Sequence, residues 1–396
     1  MTEDGRSAAP LKVFLVAAEE SGDRLGGALM RALQERAAGG VEFAGVGGDD
    51  MTAAGLASLH PIGDFSIIGF SAIPRRLPMI LGRMRETVRA VLAARPDVLV
   101  IIDSPGYTLW IARFVHLANR AIPIVDYVSP SVWAWRPWRA RSMRRYIAHV
   151  LALLPFEPEV HRKLGGPPCT YVGHPVAERV PALRPSAEEA RRRGADPPVL
   201  LVLPGSRSGE IRRLLAIFGD AVARVGAQVG PLEVVLPTVP HLVDRVTAET
   251  AAWLIRPRIV VDTADKEAAY RVARAALAKS GTVTLELALA GVPMVAAYKV
   301  SAAEAFVVRR MVRVPSYILA NLIIGENVVP QIVQDDCTAD SLAAALVPLM
   351  TDTPERQRQL AAFARLDEIM QIGATTPALR AAEIVLATAA AGRAPQ

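Results

Sequence analysis

At 396 residues the chain exceeds one ordinary core and calls for two domains, with room for a third segment. Its 52% hydrophobic and 21% charged residues exclude a disordered chain, and its longest charge-free stretch, Leu164–Ala177, is Gly- and Pro-rich and too short to span a bilayer, which takes roughly 20 apolar residues. The net charge of +6 favours anionic partners, but 40 of the 45 basic residues are arginines, a skew that genome composition also produces, so charge alone does not choose between nucleic acid, phosphorylated substrate and anionic membrane.

Met1–Pro10 is polar and has no signal-peptide core, which with only two cysteines, Cys169 and Cys337, points to the cytoplasm. Lys12–Ala17 reads as a strand, and Arg24–Ala37 as a helix. Further strands are expected at Val41–Val46, Val98–Ile102, Ile122–Val128 and Val150–Leu154. Between them Ile67–Arg89 mixes apolar residues with five arginines; it suits a bilayer surface, an acyl-chain groove or an amphipathic helix on the sheet. Pro181–Pro198 has no strand pattern and reads as a connection holding a short helix over Ser186–Arg193. The rhythm restarts at Val199–Leu203 and continues through Leu232–Leu236, Arg258–Val261, Ala275–Ala278 and Met294–Ala297. Helical patterns over Pro354–Met370 and Pro377–Ala391 end the chain. Strands separated by helices form parallel sheets of right-handed βαβ units. The expectation is an α/β chain of two doubly wound domains, residues 1–180 and 181–350, with helices over 351–396 packing on either.

Ligands of open α/β sheets bind beyond the carboxyl ends of the strands. After Val199–Leu203 comes Pro204-Gly205-Ser206-Arg207-Ser208-Gly209, where a sharp glycine turn, a hydroxyl, helix-start amides and an arginine suit phosphate oxygens. A capped turn with a solvated arginine explains the same residues. After Ala275–Ala278 comes Ser280-Gly281-Thr282, a second phosphate-type nest, with Glu286 one turn on at the height of a ribose. Two such loops in one domain favour a nucleotide.

In the first domain, Glu19-Glu20-Ser21-Gly22-Asp23 leaves the first strand; its acids repel a pyrophosphate and suit sugar hydroxyls, a proton or a helix cap. Asp103 ends Val98–Ile102 and is placed to act as a general base in a cleft between domains; an Asx turn is the competing use. Ser129–Trp138 holds Trp133, Trp135 and Trp138, with Arg136 and four further arginines close by. That interleaving suits a phosphate-bearing amphiphile, a membrane interface or single-stranded nucleic acid, or simple core packing. Nucleic acid is set aside because no recognition module is present. The six histidines are scattered without ligand spacing, so neither metal nor cofactor is expected.

Read in order, these segments resemble the lipid-A-disaccharide synthases: Ala-Glu-Glu-Ser-Gly-Asp (18–23), Gly-Val-Gly-Gly (45–48), Tyr-Val-Ser-Pro-Ser-Val-Trp-Ala-Trp-Arg (127–136), Pro-Phe-Glu-Pro (155–158), Leu-Pro-Gly-Ser-Arg (203–207), Ser-Gly-Thr-Val-Thr-Leu-Glu (280–286) and Asn-Leu-Ile (321–323). The resemblance implies a GT-B glycosyltransferase, two Rossmann-like domains facing a central cleft, that needs no metal. It implies UDP-2,3-diacylglucosamine and 2,3-diacylglucosamine 1-phosphate as substrates, at the cytoplasmic face of an inner membrane. It places Ser206, Arg207, Ser280, Gly281 and Thr282 on the UDP pyrophosphate, Glu286 on the ribose and Asn321 in the same site. Asp103 becomes the base with Glu19 its rival, and Ser21, Asp23, Trp133, Trp135 and Arg136 fall on the acceptor and lipid side. Ser104-Pro105-Gly106-Tyr107-Thr108 departs from the family's usual Ala-Pro-Asp-Phe-Asn, which alters the acceptor contacts. Other GT-B enzymes of UDP-N-acetylglucosamine, or a non-catalytic peripheral membrane protein, are the alternatives. A homodimer is left open by the apolar stretches.

Overall fold

A computed structural model describes residues 9–62, 73–301, 304–305, 314–372 and 375–393. Six strands, β1 (Leu11–Ala17), β2 (Val41–Val46), β3 (Val98–Ile102), β4 (Ile124–Tyr127), β5 (His149–Ala152) and β6 (Cys169–Tyr171), form one sheet in the order β2-β1-β3-β4-β5-β6. A second sheet contains β7 (Val199–Leu203), β8 (Glu233–Pro237), β9 (Arg258–Val260), β10 (Ala275–Lys279), β11 (Met294–Tyr298) and β12 (Gln331–Val333) in the order β12-β11-β10-β7-β8-β9. Every neighbouring pair is parallel.

The central strands are continuous apolar runs because both faces of each sheet are covered. In β1, Val13, Leu15 and Ala17 face the helices Glu20–Arg36 and Pro377–Arg393, whereas Phe14 and Val16 face Ile73–Ala94 and Thr108–Ala118. That alternation is the period-two pleat filling two cores at once. In the second sheet, Leu200 and Val202 pack with Leu214, Phe218 and Val222 of the helix Ser208–Val229 and with Leu342 and Leu346 of Ala339–Met350.

The chain forms two compact units, residues 1–175 with 373–396, and residues 176–372. The stretch Pro181–Pro198, read from sequence as a connection, is built into the second unit. Its helix Ala187–Gly194 opens with a capping box between Ser186 and Glu189, and Arg193 donates to the carbonyls of Tyr270, Arg271, Ala290 and Gly291. Those carbonyls end two helices, so part of the arginine excess works inside the fold as helix caps. The closing helices divide. Pro354–Ala364 and Leu366–Ile369 belong to the second unit, while Pro377–Arg393 crosses back to the first and buries Ala381, Ala382, Val385 and Ala389. Two edge strands of three residues each, β6 and β12, are not among the strands expected from the sequence. Of Ile67–Arg89, residues 67–72 lie outside the described residues, and the remainder falls in the helix Ile73–Ala94. Among the described residues no helix is long and apolar enough to cross a membrane.

Candidate active site

Each sheet has one point where the connections reverse direction. In the first it lies between β1 and β3, which pair directly; in the second it lies between β7 and β10. A crevice opens beyond the carboxyl ends of the strands at such a point because the flanking loops diverge. The candidate loops follow these four strands.

At the β1/β3 point, Ser21 Oγ donates to Asp103 Oδ2 (3.0 Å) and Ser104 Oγ donates to Glu19 Oε1 (2.9 Å). The two loops are thus cross-linked, each donating a hydroxyl to the carboxylate of the other. Asp103 and Ser104 both have left-handed backbones, φ 54° and 45°, a conformation that costs non-glycine residues energy and is held here by surrounding bonds. Asp103 N donates to Tyr127 O (3.0 Å), Thr108 Oγ1 donates to Asp103 O (2.6 Å), and Ser104 N donates to Asp103 Oδ1 (2.7 Å). Glu19 and Ser21 are exposed and Asp103 is half-buried.

Asp23 faces the other way. It is buried, and its carboxylate accepts from the amides of Gly48 (2.7 Å), Asp50 (2.9 Å) and Met51 (3.1 Å), capping the helix Asp49–Ala53. The structure therefore separates Asp23 from Glu19 and Ser21, with which the sequence reading grouped it.

At the β7/β10 point, Gly205 turns with φ 117°, a region that disfavours side chains. The amides of Ser206 and Arg207 donate to Glu210 Oε2 (3.1 and 3.2 Å), and Lys279 Nζ lies 3.0 Å from Glu210 Oε1. The nest expected to be open to a ligand is filled by a carboxylate of the chain itself. Arg207 projects outward, its side chain 83% exposed. Across the point, Gly281 and Thr282 precede the helix Val283–Leu289, and the amides of Gly281, Thr282 and Val283 donate to no described protein atom. Ser280 is committed elsewhere: its hydroxyl donates to Tyr317 O (2.9 Å). Glu286 accepts from Arg179 Nη1 (2.9 Å), Lys266 Nζ (3.1 Å) and Tyr270 OH (3.3 Å). Asn321 is buried, and its amide bonds Ser316, Val328 and Val329, so it braces the 316–329 loop instead of lining a surface.

The tryptophan loop follows β4. Trp133 Nε1 donates to Glu157 Oε1 (3.2 Å), and its ring meets Phe156 edge-on at 5.5 Å. Trp135 lies under the guanidinium groups of Arg136 (4.2 Å) and Arg139 (5.6 Å). Beneath the loop, burial pushes the Glu157 carboxyl up to about 7, although Leu154 N and Trp133 donate to it. Burial also pulls His161 down to about 4, and its Nε2 lies 2.9 Å from Ser129 Oγ. Asp126 is held well above the usual carboxylate range by burial first, then by the charges of Asp103 and Glu157. Sequence reasoning assigned no role to Asp126, Glu157, His161, Glu210 or Lys279. Glu157 stood in plain view in Pro-Phe-Glu-Pro, and Lys279, one of five lysines, directly precedes the Ser-Gly-Thr nest.

Residues 13–385 match the family model described as lipid-A-disaccharide synthetase. The chain belongs to this family. A lipid-A-disaccharide synthase of Nitrobacter hamburgensis is 59% identical over 385 residues, covering 97% of each chain. Among solved structures, the glycotransferase of kitacinnamycin aligns with a TM-score of 0.61 at 18% identity over 96% of this chain and 99% of that one. A UDP-GlcNAc 2-epimerase of Methanocaldococcus jannaschii aligns with a TM-score of 0.57 at 12% identity over 96% and 99%. These two likenesses are of fold, and the fold is GT-B: two parallel six-stranded sheets with helices on their faces. The lipid-A-disaccharide synthase family is a family of glycosyltransferases, and in this member the motifs at 18–23, 203–207 and 280–286 lie at the two switch points.

Proposed function

We propose that the chain joins UDP-2,3-diacylglucosamine to 2,3-diacylglucosamine 1-phosphate, forming a β-1,6-linked disaccharide 1-phosphate and UDP. The family match over residues 13–385, with 59% identity to a synthase along nearly all of both chains, carries this reading. In the reaction the acceptor 6-oxygen attacks the anomeric carbon from the face opposite UDP. The carbon–phosphate oxygen bond breaks, its electron pair leaves with UDP, and the hydroxyl proton passes to a base. Asp103 is that base: Ser21 and the Ser104 amide orient its two oxygens, while Glu19 is engaged by the Ser104 hydroxyl. Glu19 and Ser21, on the exposed side of the pair, receive the acceptor sugar. Trp133, Trp135 and Arg136 form the lipid-phosphate side.

The amides of Gly281–Val283 and the cations Lys279 and Arg207 hold the pyrophosphate and stabilise its growing charge as it departs. Glu286 meets the ribose. Ser280 and Asn321 act behind this surface by fixing the 316–329 loop. Peripheral attachment to the cytoplasmic face of the inner membrane completes the reading, since both substrates carry acyl chains.

The test is UDP release by purified protein given both lipids in detergent with EDTA. Release should require both substrates and survive the chelator, and Asp103→Asn should lower kcat by about 10²–10⁴. Release with non-acylated UDP-N-acetylglucosamine alone would replace this reaction with another of the same fold.

A further inference from the structure

The first unit carries a second concavity, at the edge of its sheet opposite Asp103. Residues 121–124 enter β4 there and 144–148 lead into β5, so it opens at the amino ends of these strands. Its volume is about 590 Å³, and His116, Arg120, Arg144, Arg145 and Tyr146 stand over an isoleucine floor with no carboxylate among the lining residues. Arg120, Arg144 and Arg145 are exposed, and among the described residues none forms an ion pair. From Ser104 to Val150 the chain has seven arginines and one acid, Asp126, which is buried in β4. Asp97, at the start of the neighbouring strand, is already held by Arg393.

The helix Thr108–Ala118 links this edge to the candidate active site. It starts where Thr108 bonds Asp103 and, at 1.5 Å per residue, runs about 12 Å to His116 at the cavity. Its outer face exposes Trp110 (48%), Phe114 (44%) and Leu117 (63%), spaced as one stripe. Trp110 and Phe114 stack at 6.0 Å, and Arg113 covers Trp110 at 5.6 Å. Leu77, Met79 and Leu81 of the neighbouring helix Ile73–Ala94 are exposed as well. Aromatic and aliphatic side chains on an arginine-rich field, in which the exposed Glu86 is already paired with Arg83, match an anionic bilayer, whose interface takes the rings and whose phosphates take the guanidiniums.

We infer that the cavity is a binding site for the phosphate of an anionic phospholipid, and that the Trp110–Phe114–Leu117 stripe inserts beside it. The face thereby sets the first unit on the membrane with one end of the stripe beside Asp103. This deepens, and rests on, the membrane attachment proposed above. It identifies a lipid that is not a substrate.

The full chain is mixed with vesicles of phosphatidylcholine alone or with phosphatidylglycerol, and partition is measured by sedimentation. Wild-type protein should prefer the anionic vesicles by at least about tenfold. Arg120→Ser, Arg144→Ser and Arg145→Ser should each lose about fivefold of that partition. Trp110→Ser with Phe114→Ser should lose binding to both vesicle types. All these variants should keep their melting temperature and their UDP release on detergent-dispersed substrates. Wild-type protein that binds no vesicle overturns the membrane attachment itself. Wild-type binding that the variants retain overturns this site alone. Inorganic phosphate that raises the melting temperature through the three arginines, with no preference for anionic vesicles, assigns the cavity to a soluble phosphate and overturns the lipid.

Discussion

Glu157 and His161 stand one turn apart on the helix Glu157–Leu164, both buried, and burial moves them in opposite senses. With its folded value raised from 4.5 to about 7, Glu157 keeps a proton in the folded state that the unfolded chain releases. Its contribution therefore falls as pH rises from 4.5 to 7 and is flat above. With its value lowered from 6.5 to about 4, His161 stays neutral where the unfolded chain binds a proton, so its contribution rises with pH across 4 to 6.5. Each amounts to about 3 kcal/mol at most, and the two oppose one another over most of that range. Glu157→Gln removes only the first. Its stability relative to wild type, from urea denaturation, should increase by up to about 3 kcal/mol between pH 5 and 8; a difference that stays constant with pH would refute the buried neutral carboxyl. Asp23 makes a separate residue-scale claim. Asp23→Ala removes the acceptor of three amides, of which that of Met51 is buried, and should cost about 1–3 kcal/mol, whereas Glu19→Ala, at an exposed carboxylate, should leave the denaturation midpoint nearly unchanged.

The helix Glu20–Arg36 shows how an element can break its own propensity for packing. Gly26 and Gly27 weaken it by roughly 1 kcal/mol each relative to alanine. A Cβ on Gly27 would come within 2.8 Å of Asp50 O, and one on Gly26 within 2.5 Å of Met51 Sδ. The glycines let this helix approach Asp49–Ala53 closely enough for Asp23 to cap it. Gly27→Ala should therefore destabilise despite its better helix propensity, by about 1–3 kcal/mol in a urea titration, because the contact is with backbone that cannot rotate away. The loop after β7 is closed in a different way. Glu210 in the first turn of Ser208–Val229 reaches back to the Ser206 and Arg207 amides, a local closure visible only once the loop is folded.

At the scale of the molecule, the last helix is the notable dependence. Pro377–Arg393 follows the second unit in sequence but fills one face of the first, where Ala381, Ala382, Val385 and Ala389 reach zero exposure beside Leu29 and Leu33. Ending the chain after Ile372 removes that cover while leaving residues 176–372 complete. Calorimetry of the truncated protein should lose the first unit's transition, keep the second unit's, and retain UDP binding. Loss of both transitions would show that the second unit does not fold alone.

Much of the architecture was legible because buried parallel strands are written as continuous apolar runs. Val41–Val46, Val98–Ile102 and Val199–Leu203 have the same limits in sequence and structure. The family, too, lay in the order of short motifs. What the sequence could not disclose is how those residues are divided. Ser280 and Asp23 sit in motifs beside Gly281 and Glu19, and Asn321 heads a motif of its own, yet tertiary contacts turn all three inward as braces and caps. Sequence by itself determined the element types, the two parallel sheets and the family, because periodicity and local motifs are properties of neighbouring residues. Only the tertiary structure decided the return of the last helix, the filling of the Ser206 nest by Glu210, the upward shift of the Asp126 and Glu157 carboxyls under the tryptophan loop and the cavity lined without a carboxylate. Each of these depends on which distant residues share a site, and on how much water that sharing removes.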